Sequence, residues 1–358
     1  MSSRYLLKFS YLGTRYRGMQ RQSSRPCLEN WTVQGAIEGA LRNLRPLSEP
    51  VLILASRTDT GVHASLSAGH VDLVPANTAQ CYQPLQIFSV LNRHFARRDH
   101  DIVVREVLPV PSWFHARYLA KSRSYVYRVA VLRPHVLEQS TVLGTTIRHL
   151  LPLNEINSCC AVPPLDFSRV QEAMELLSGE HDFRTFKNVG RTKAEDEVNT
   201  VRNVLDFTLR PSQPASAVAD PLYDNVDLWE FHIKSRSFLY RQVRRMVSVV
   251  LHVGMHPESL PLVRHMLENP HKDSWDNKVR IAPACGLYLT NIEYDPAHMD
   301  LDADPPEEVV SYLSKLRDFE LVDDKDSDEN PDENPDENPD EESVQAGQDL
   351  EEHSSRSI

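Results

Sequence analysis

Neither a C-x-x-C pair nor an H-E-x-x-H helix occurs in these 358 residues. The five cysteines (Cys27, Cys81, Cys159, Cys160 and Cys285) are odd in number and show no workable ligand spacing. A zinc site needs three or four ligands at such spacing, so reduced thiols and no metal are expected. No run of 18 apolar residues is present, which argues against a membrane-spanning helix. The N-terminus MSSRYLLKFSY enters strand-like sequence at once. It lacks the apolar stretch and small-residue site of a secretory leader and is short for a mitochondrial presequence. An intracellular protein is therefore expected, whether cytoplasmic, nuclear or mitochondrial. No G-K-[ST] follows Gly13 or Gly18, which removes a phosphate loop, and no G-x-S-x-G elbow is found. The histidines are scattered, and each by itself reads as structural.

The composition that is present fits a globular protein, with 41% apolar and 25% charged residues. The length suits two domains better than one small core. The net charge of −12 is unevenly placed. From His298 onward there are 22 Asp and Glu against 4 Lys and Arg, a net of −18. Subtraction leaves 35 basic and 29 acidic residues in 1–297, a net of +6. The acid lies in a tail, 298–358, whose repeat DENPDENPDENPDE at 328–341 has no apolar residue to bury. Such a segment cannot offset its ordering entropy and is expected to be disordered. Residues 305–320 could form a short helix ahead of it. The basic body suits a polyanionic partner, and an ordinary mildly basic domain equally.

Along the body, strand and helix patterns mix. Arg4–Tyr11 alternates, with Tyr5, Leu7, Phe9 and Tyr11 on one side of a strand. Thr32 can cap a helix over Val33–Leu44. Strands are expected at Val51–Ala55, Ala68–Val74 and Asp101–Leu108, with a helix at Leu85–Phe95. A second half begins near residue 119, with strands at Ser122–Val131, Val201–Leu209 and Leu228–Ile233. Its first helix follows Asp166 and ends at Gly179. These patterns predict an α+β protein of two halves, 1–118 and 119–297.

Three stretches carry candidate chemistry. SRTDTGVHA at 56–64 follows an apolar strand, so Asp59 sits on the loop at that strand's C-terminal end. The residues alone allow either a turn or a held carboxylate. SRSFLYRQVRRMVSVVLHVG reads as a helix with Leu239, Val243, Met246, Val247 and Val250 in one stripe. Arg241, Arg244 and Arg245 fall on a neighbouring face and call for an anionic partner, protein carboxylate or phosphate. In YLGTRYRGMQRQ, Arg15, Arg17 and Arg21 interleave with Tyr16 and Met19, and Arg25 follows. That composition suits RNA backbone beside stacked bases, and also a plain basic loop.

SRTDTGVHA closely resembles the central motif of the TruA family of tRNA pseudouridine synthases. YLGTRYRGMQRQ, VQGAIEGAL, FHARYLAKSRSYVYR, LLSGEHDFRTF, FLYRQVRRMVSVVLHVG and GLYLTNIEY resemble further family segments in the right order, together covering about residues 5–295. The resemblance implies the pseudouridine synthase fold: two related α/β halves forming a mixed, mostly antiparallel central sheet flanked by helices. It implies isomerisation of uridine in RNA, tRNA above all, without cofactor or metal, by a homodimer whose two subunits both meet the RNA. The glycosidic N1–C1′ bond breaks, the uracil turns, and C5 bonds to C1′. Asp59 matches the catalytic aspartate and Tyr125 the tyrosine that stacks on the flipped base and is a candidate for removing the C5 proton. Arg244 matches the arginine that pairs with the aspartate, Leu287 the apolar residue lining the uracil pocket, and Arg57 orients the loop or meets phosphate. Leu12, Met19 and Thr60 depart from the family's usual aspartate, tryptophan and alanine. They fall outside the catalytic set and bear on which RNA is chosen. Two classes remain: an active uridine isomerase, and a catalytically silent RNA-binding protein or RNA chaperone that keeps only the fold.

Overall fold

In a computed structural model of the chain, residues 3–21, 31–76, 81–137, 147–188, 198–216, 220–307 and 309–310 are described. The tail repeat and Arg25 lie outside them, and the helix expected at 305–320 lies largely outside. Strand β1 (Ser3–Tyr11) leads to helix α1 (Val33–Leu41), the short strand β2 (Leu52–Leu54) and the long strand β3 (His63–Leu73). Helix α2 (Pro84–Arg98) and strand β4 (Ile102–Val110) complete the first half. The second half holds β5 (Ala120–Leu132), β6 (Cys160–Val162), α3 (Phe167–Leu177) and β7 (Gly179–Asp182). It continues with β8 (Val201–Pro211), β9 (Val226–Ser235), α4 (Gln242–Met255), α5 (Leu260–Glu268) and β10 (Leu287–Tyr294).

All ten strands join one sheet in the order β4-β1-β3-β10-β5-β9-β8-β7, with β2 on β3 and β6 on β5. Most ladders are antiparallel. The β10–β3 and β5–β6 pairs are parallel. The mixed, mostly antiparallel sheet is the one expected. The last strand lies at its middle: β10 pairs with β3 through Tyr288↔His63 and with β5 through Leu289↔Tyr125. Residues from the two halves thereby meet across one strand.

Local chemistry accounts for the elements. Thr32 accepts a hydrogen bond from the Gly35 amide, satisfying one of the free N–H groups that open α1. Asp166 accepts from the Ser168 and Arg169 amides and does the same for α3. β1 is buried on both faces, since Leu6 is enclosed as fully as Leu7 and Phe9. Central strands covered on both sides read as continuous apolar runs rather than clean alternation. Helix α2 packs on β4 and α1, and α3 packs on α4, α5 and β8. No helix among the described residues is long and apolar enough to cross a membrane.

Helix α4 corrects the sequence reading. It begins at Gln242, and Leu239 precedes it although it packs with the stripe. Arg241 is its N-cap and holds a left-handed backbone, φ +59°. The three arginines therefore do not share one helical face.

Candidate active site

The Asp59 loop is held from both ends. At its start, buried Arg123 donates to the Ala55 carbonyl at 2.8 Å, and also to the carbonyls of Arg117 and Arg236. In its middle, the Met19 amide donates to the Thr58 carbonyl at 3.1 Å, and the Thr58 and Tyr11 hydroxyls lie 2.7 Å apart. A turn then closes with the Val62 amide on the Asp59 carbonyl, 3.1 Å. Gly61 takes φ +78° there, a conformation glycine adopts without steric cost. At its end, buried His63 accepts the Gly13 amide at Nδ1, 3.0 Å. That leaves its Nε2–H to donate to the Asn157 carbonyl at 3.1 Å. Burial lowers the His63 pKa, so a neutral ring with that tautomer fits both contacts. Gly13 permits the approach, because a Cβ there would sit 2.0 Å from the Val62 carbonyl oxygen.

From this loop the Asp59 carboxylate meets α4. Its Oδ2 accepts from Arg244 Nη1 at 2.9 Å, and Arg241 Nε stands 3.9 Å from the same oxygen. Among the described residues, Oδ1 takes no hydrogen bond. The Asp59 side chain is 17% exposed, recessed yet reachable. Arg244 is fixed in turn, its Nε donating to the Ala282 carbonyl at 2.8 Å. Ser248 donates to the Arg244 carbonyl and accepts the Ala282 amide, pinning strap 282–286 to the helix. Tyr127 donates to the Pro283 carbonyl within that strap, which leads into Leu287 at the start of β10.

Tyr125 projects from β5 into the same region. Its hydroxyl lies 3.1 Å from that of Ser56, at the entry of the Asp59 loop. The Phe238 ring meets it edge-on at 5.3 Å, a favoured aromatic geometry. Burial raises the Tyr125 pKa; the Ser56 bond opposes this and the charge of Asp59 adds to it, so the phenol is protonated near neutral pH. Leu287 is buried opposite Tyr127, two register positions from the pair that holds Tyr125. Asp59, Tyr125 and Arg244 thus come together from a loop, a strand and a helix, and Leu287 lies on the strand paired with that of Tyr125.

The remaining candidates divide. Arg57 is exposed on the loop two residues before Asp59. Arg17 is exposed near Gly18, Arg15 pairs with Asp99 and Asp101, and Arg21 with buried Glu38. Arg245 turns away from Asp59. Its Nη1 donates to the carbonyls of Thr185 and Lys187, both 2.9 Å, and its guanidinium lies 4.6 Å over the Trp275 ring. Burial, with the charge of Arg241 added, lowers its pKa to about 10. Those contacts make Arg245 a strut between α4 and the 184–188 turn. Ser56, Phe238 and Arg123 belong to the site surroundings; they lie within the resembling segments, but sequence reasoning gave them no role. Among the described residues, no cluster of three His, Cys, Asp or Glu could hold a metal.

The sequence profile described as tRNA pseudouridine synthase matches residues 173–295, the stretch with α4 and Leu287. The chain is 34% identical over 294 residues to the human protein tRNA pseudouridine synthase-like 1, covering 82% of this chain and 90% of that one. It is 30% identical over 318 residues to the protein of the same name from Xenopus laevis, covering 88% and 98%. To tRNA pseudouridine synthase A of the bacterium Dinoroseobacter shibae it is 31% identical over 294 residues, covering 81% and 96%.

Proposed function

We propose that this chain, which belongs to the TruA family of tRNA pseudouridine synthases, isomerises uridine to pseudouridine in tRNA, with Asp59 as its catalytic residue. The observation that carries the reading is the carboxylate itself. One oxygen is held by Arg244 at 2.9 Å, the other takes no hydrogen bond among the described residues, and an aromatic strand residue stands alongside.

A uridine inside a stem cannot reach a recessed carboxylate, so it must leave the stack, at a cost of a few kcal/mol. A stacked aromatic ring returns about 1–3 kcal/mol per base. Tyr125 supplies the ring, with Phe238 and Ser56 fixing its tilt and its hydroxyl. Tyr125 serves here as a platform and a hydrogen-bonding partner, its hydroxyl 3.1 Å from that of Ser56. Arg244 balances the charge of the recessed Asp59 while leaving Oδ1 to the substrate. The carboxylate then acts as nucleophile or proton acceptor while the N1–C1′ bond breaks. The uracil turns, C5 bonds to C1′, and the C5 proton is lost as N1 gains one. Leu287 gives the base an apolar wall. Arg57, Arg17 and Arg15 stand as contacts for the RNA backbone, whose grip weakens with salt. The working form in this reading is an intracellular homodimer.

The test uses tRNA transcripts carrying 5-tritiated uridine. Release of tritium matched one for one by pseudouridine supports the isomerase. RNA binding with no release leaves the RNA-binding or chaperone reading in its place. Pseudouridine mapping in cells lacking the protein then identifies the position.

A further inference from the structure

We infer that Arg241 binds a phosphodiester flanking the flipped uridine, so that the site reads one backbone phosphate next to its target base. The inference rests on the isomerase reading and assigns a task to a side chain that reading does not use.

Three features converge on this residue. Its backbone is left-handed at φ +59°, a conformation that a non-glycine residue holds only at a cost. That backbone places the guanidinium 5.2 Å from the Tyr240 ring centroid and Nε 3.9 Å from Asp59 Oδ2. The latter distance is too long for a hydrogen bond. Nε is buried and has no hydrogen-bond partner among the described residues. A buried unsatisfied donor is a cost as well.

Charge completes the case. Asp59 is already matched by Arg244 through a direct 2.9 Å bond. Arg241 is thus a second cation beside a single carboxylate, and the site carries a net positive charge. Its side chain is 18% exposed, and the neighbouring Tyr240 is 43% exposed. Both stand at the rim. An RNA base cannot reach Asp59 without bringing its two flanking phosphodiesters to that rim. The planar guanidinium fork matches phosphate oxygens in geometry and charge. Tyr240 holds the fork by a cation–π contact and offers a ring edge to the ribose or base beyond.

The test is a cycle between protein and RNA. The substrate is a stem–loop bearing the mapped uridine, made with all phosphates or with one neutral methylphosphonate on its 5′ or 3′ side. The proteins are wild type, Arg241→Lys and Arg241→Asn; asparagine tolerates the left-handed backbone, so folding should be kept. We expect one of the two neutral linkages to weaken wild-type binding by about 10- to 100-fold, the range of a charged hydrogen bond. Arg241→Asn should bind the all-phosphate RNA weaker by a similar factor and lose little more on that neutral linkage. Its salt slope should fall by about one unit. Arg241→Lys should recover part of the affinity. Equal losses for wild type and Arg241→Asn at both linkages would overturn the assignment. So would unchanged affinity with a collapsed rate, which would make Arg241 a second clamp on Asp59. Absence of turnover by wild type on the all-phosphate RNA would instead overturn the isomerase reading itself.

Discussion

Among the carboxylates that face arginine, Glu155 and Asp59 are finished differently. Glu155 is completely enclosed, and both its oxygens are saturated. Oε2 accepts from Arg128 Nη1 and Ser158, both 2.8 Å, and Oε1 accepts from the Ala215 amide, Arg128 Nη2 and the Tyr223 hydroxyl. Burial alone would raise its pKa, but the Ala215 and Arg128 hydrogen bonds outweigh burial and hold it below the usual carboxylate range. Asp59 has one direct bond to Arg244, a second oxygen with no hydrogen bond among the described residues, and a side chain still in reach of solvent. A saturated acid ties segments together. An acid left half-satisfied on a tightly clamped loop keeps a valence for something the protein does not supply. The same contrast separates neighbours on α4, since Arg244 points at Asp59 and Arg245 is spent on backbone carbonyls.

That contrast can be broken experimentally. Arg244→Met should lower the turnover rate by about 10²–10³-fold, the size of effect seen on losing one preorganised charged donor. Its thermal midpoint should move little, because Arg241 remains beside Asp59. Glu155→Ala should do the reverse, costing about 3–5 kcal/mol of stability by removing the buried 2.8 Å carboxylate partner of Arg128 and leaving it Glu230 at 3.6 Å, measured by urea unfolding, with turnover per folded molecule kept. Arg245→Met sits between them. It should cost about 1–3 kcal/mol through the unpaired Thr185 and Lys187 carbonyls, and leave saturated turnover within a few-fold of wild type. Acid titration sharpens the Glu155 side. A carboxylate with a depressed folded pKa contributes stability above its unfolded value, near 4.3, and loses it as pH falls through the folded value. The stability gap between wild type and Glu155→Gln should be full at pH 7 and should shrink below about pH 4.3. A gap independent of pH would remove the charge from that account.

Elements with a local cause were legible from the residues. Thr32 and Asp166 announced their helices because capping oxygens act within three residues. The apolar stretch before Ser56 placed Asp59 on a loop. Features settled by distant partners were not legible. Strand β3 starts at His63 rather than Ala68, because His63, Ala64 and Ser67 pair with β1 and β10. The insertion of β10 between the halves leaves no mark on Leu287–Tyr294 itself. The helical period drew Leu239 into α4 because its side chain packs with the stripe, although the backbone turns left-handed at Arg241. The opposite directions of Arg244 and Arg245 depend on carbonyls at 185, 187 and 282, which no spacing in the arginine motif records. Asp59 and its partners were reached through motif resemblance, and the geometry brings those same residues to one place.

The central claim is that the open oxygen of Asp59 does the chemistry while the rest of the site binds. Asp59→Asn keeps the shape and removes the charge. Its tRNA affinity should stay within a few-fold of wild type, and single-turnover tritium release from 5-tritiated uridine should fall by at least about 10³-fold, as for loss of an activated nucleophile. Release by Asp59→Asn at a rate close to wild type, from RNA bound equally well, would contradict the account.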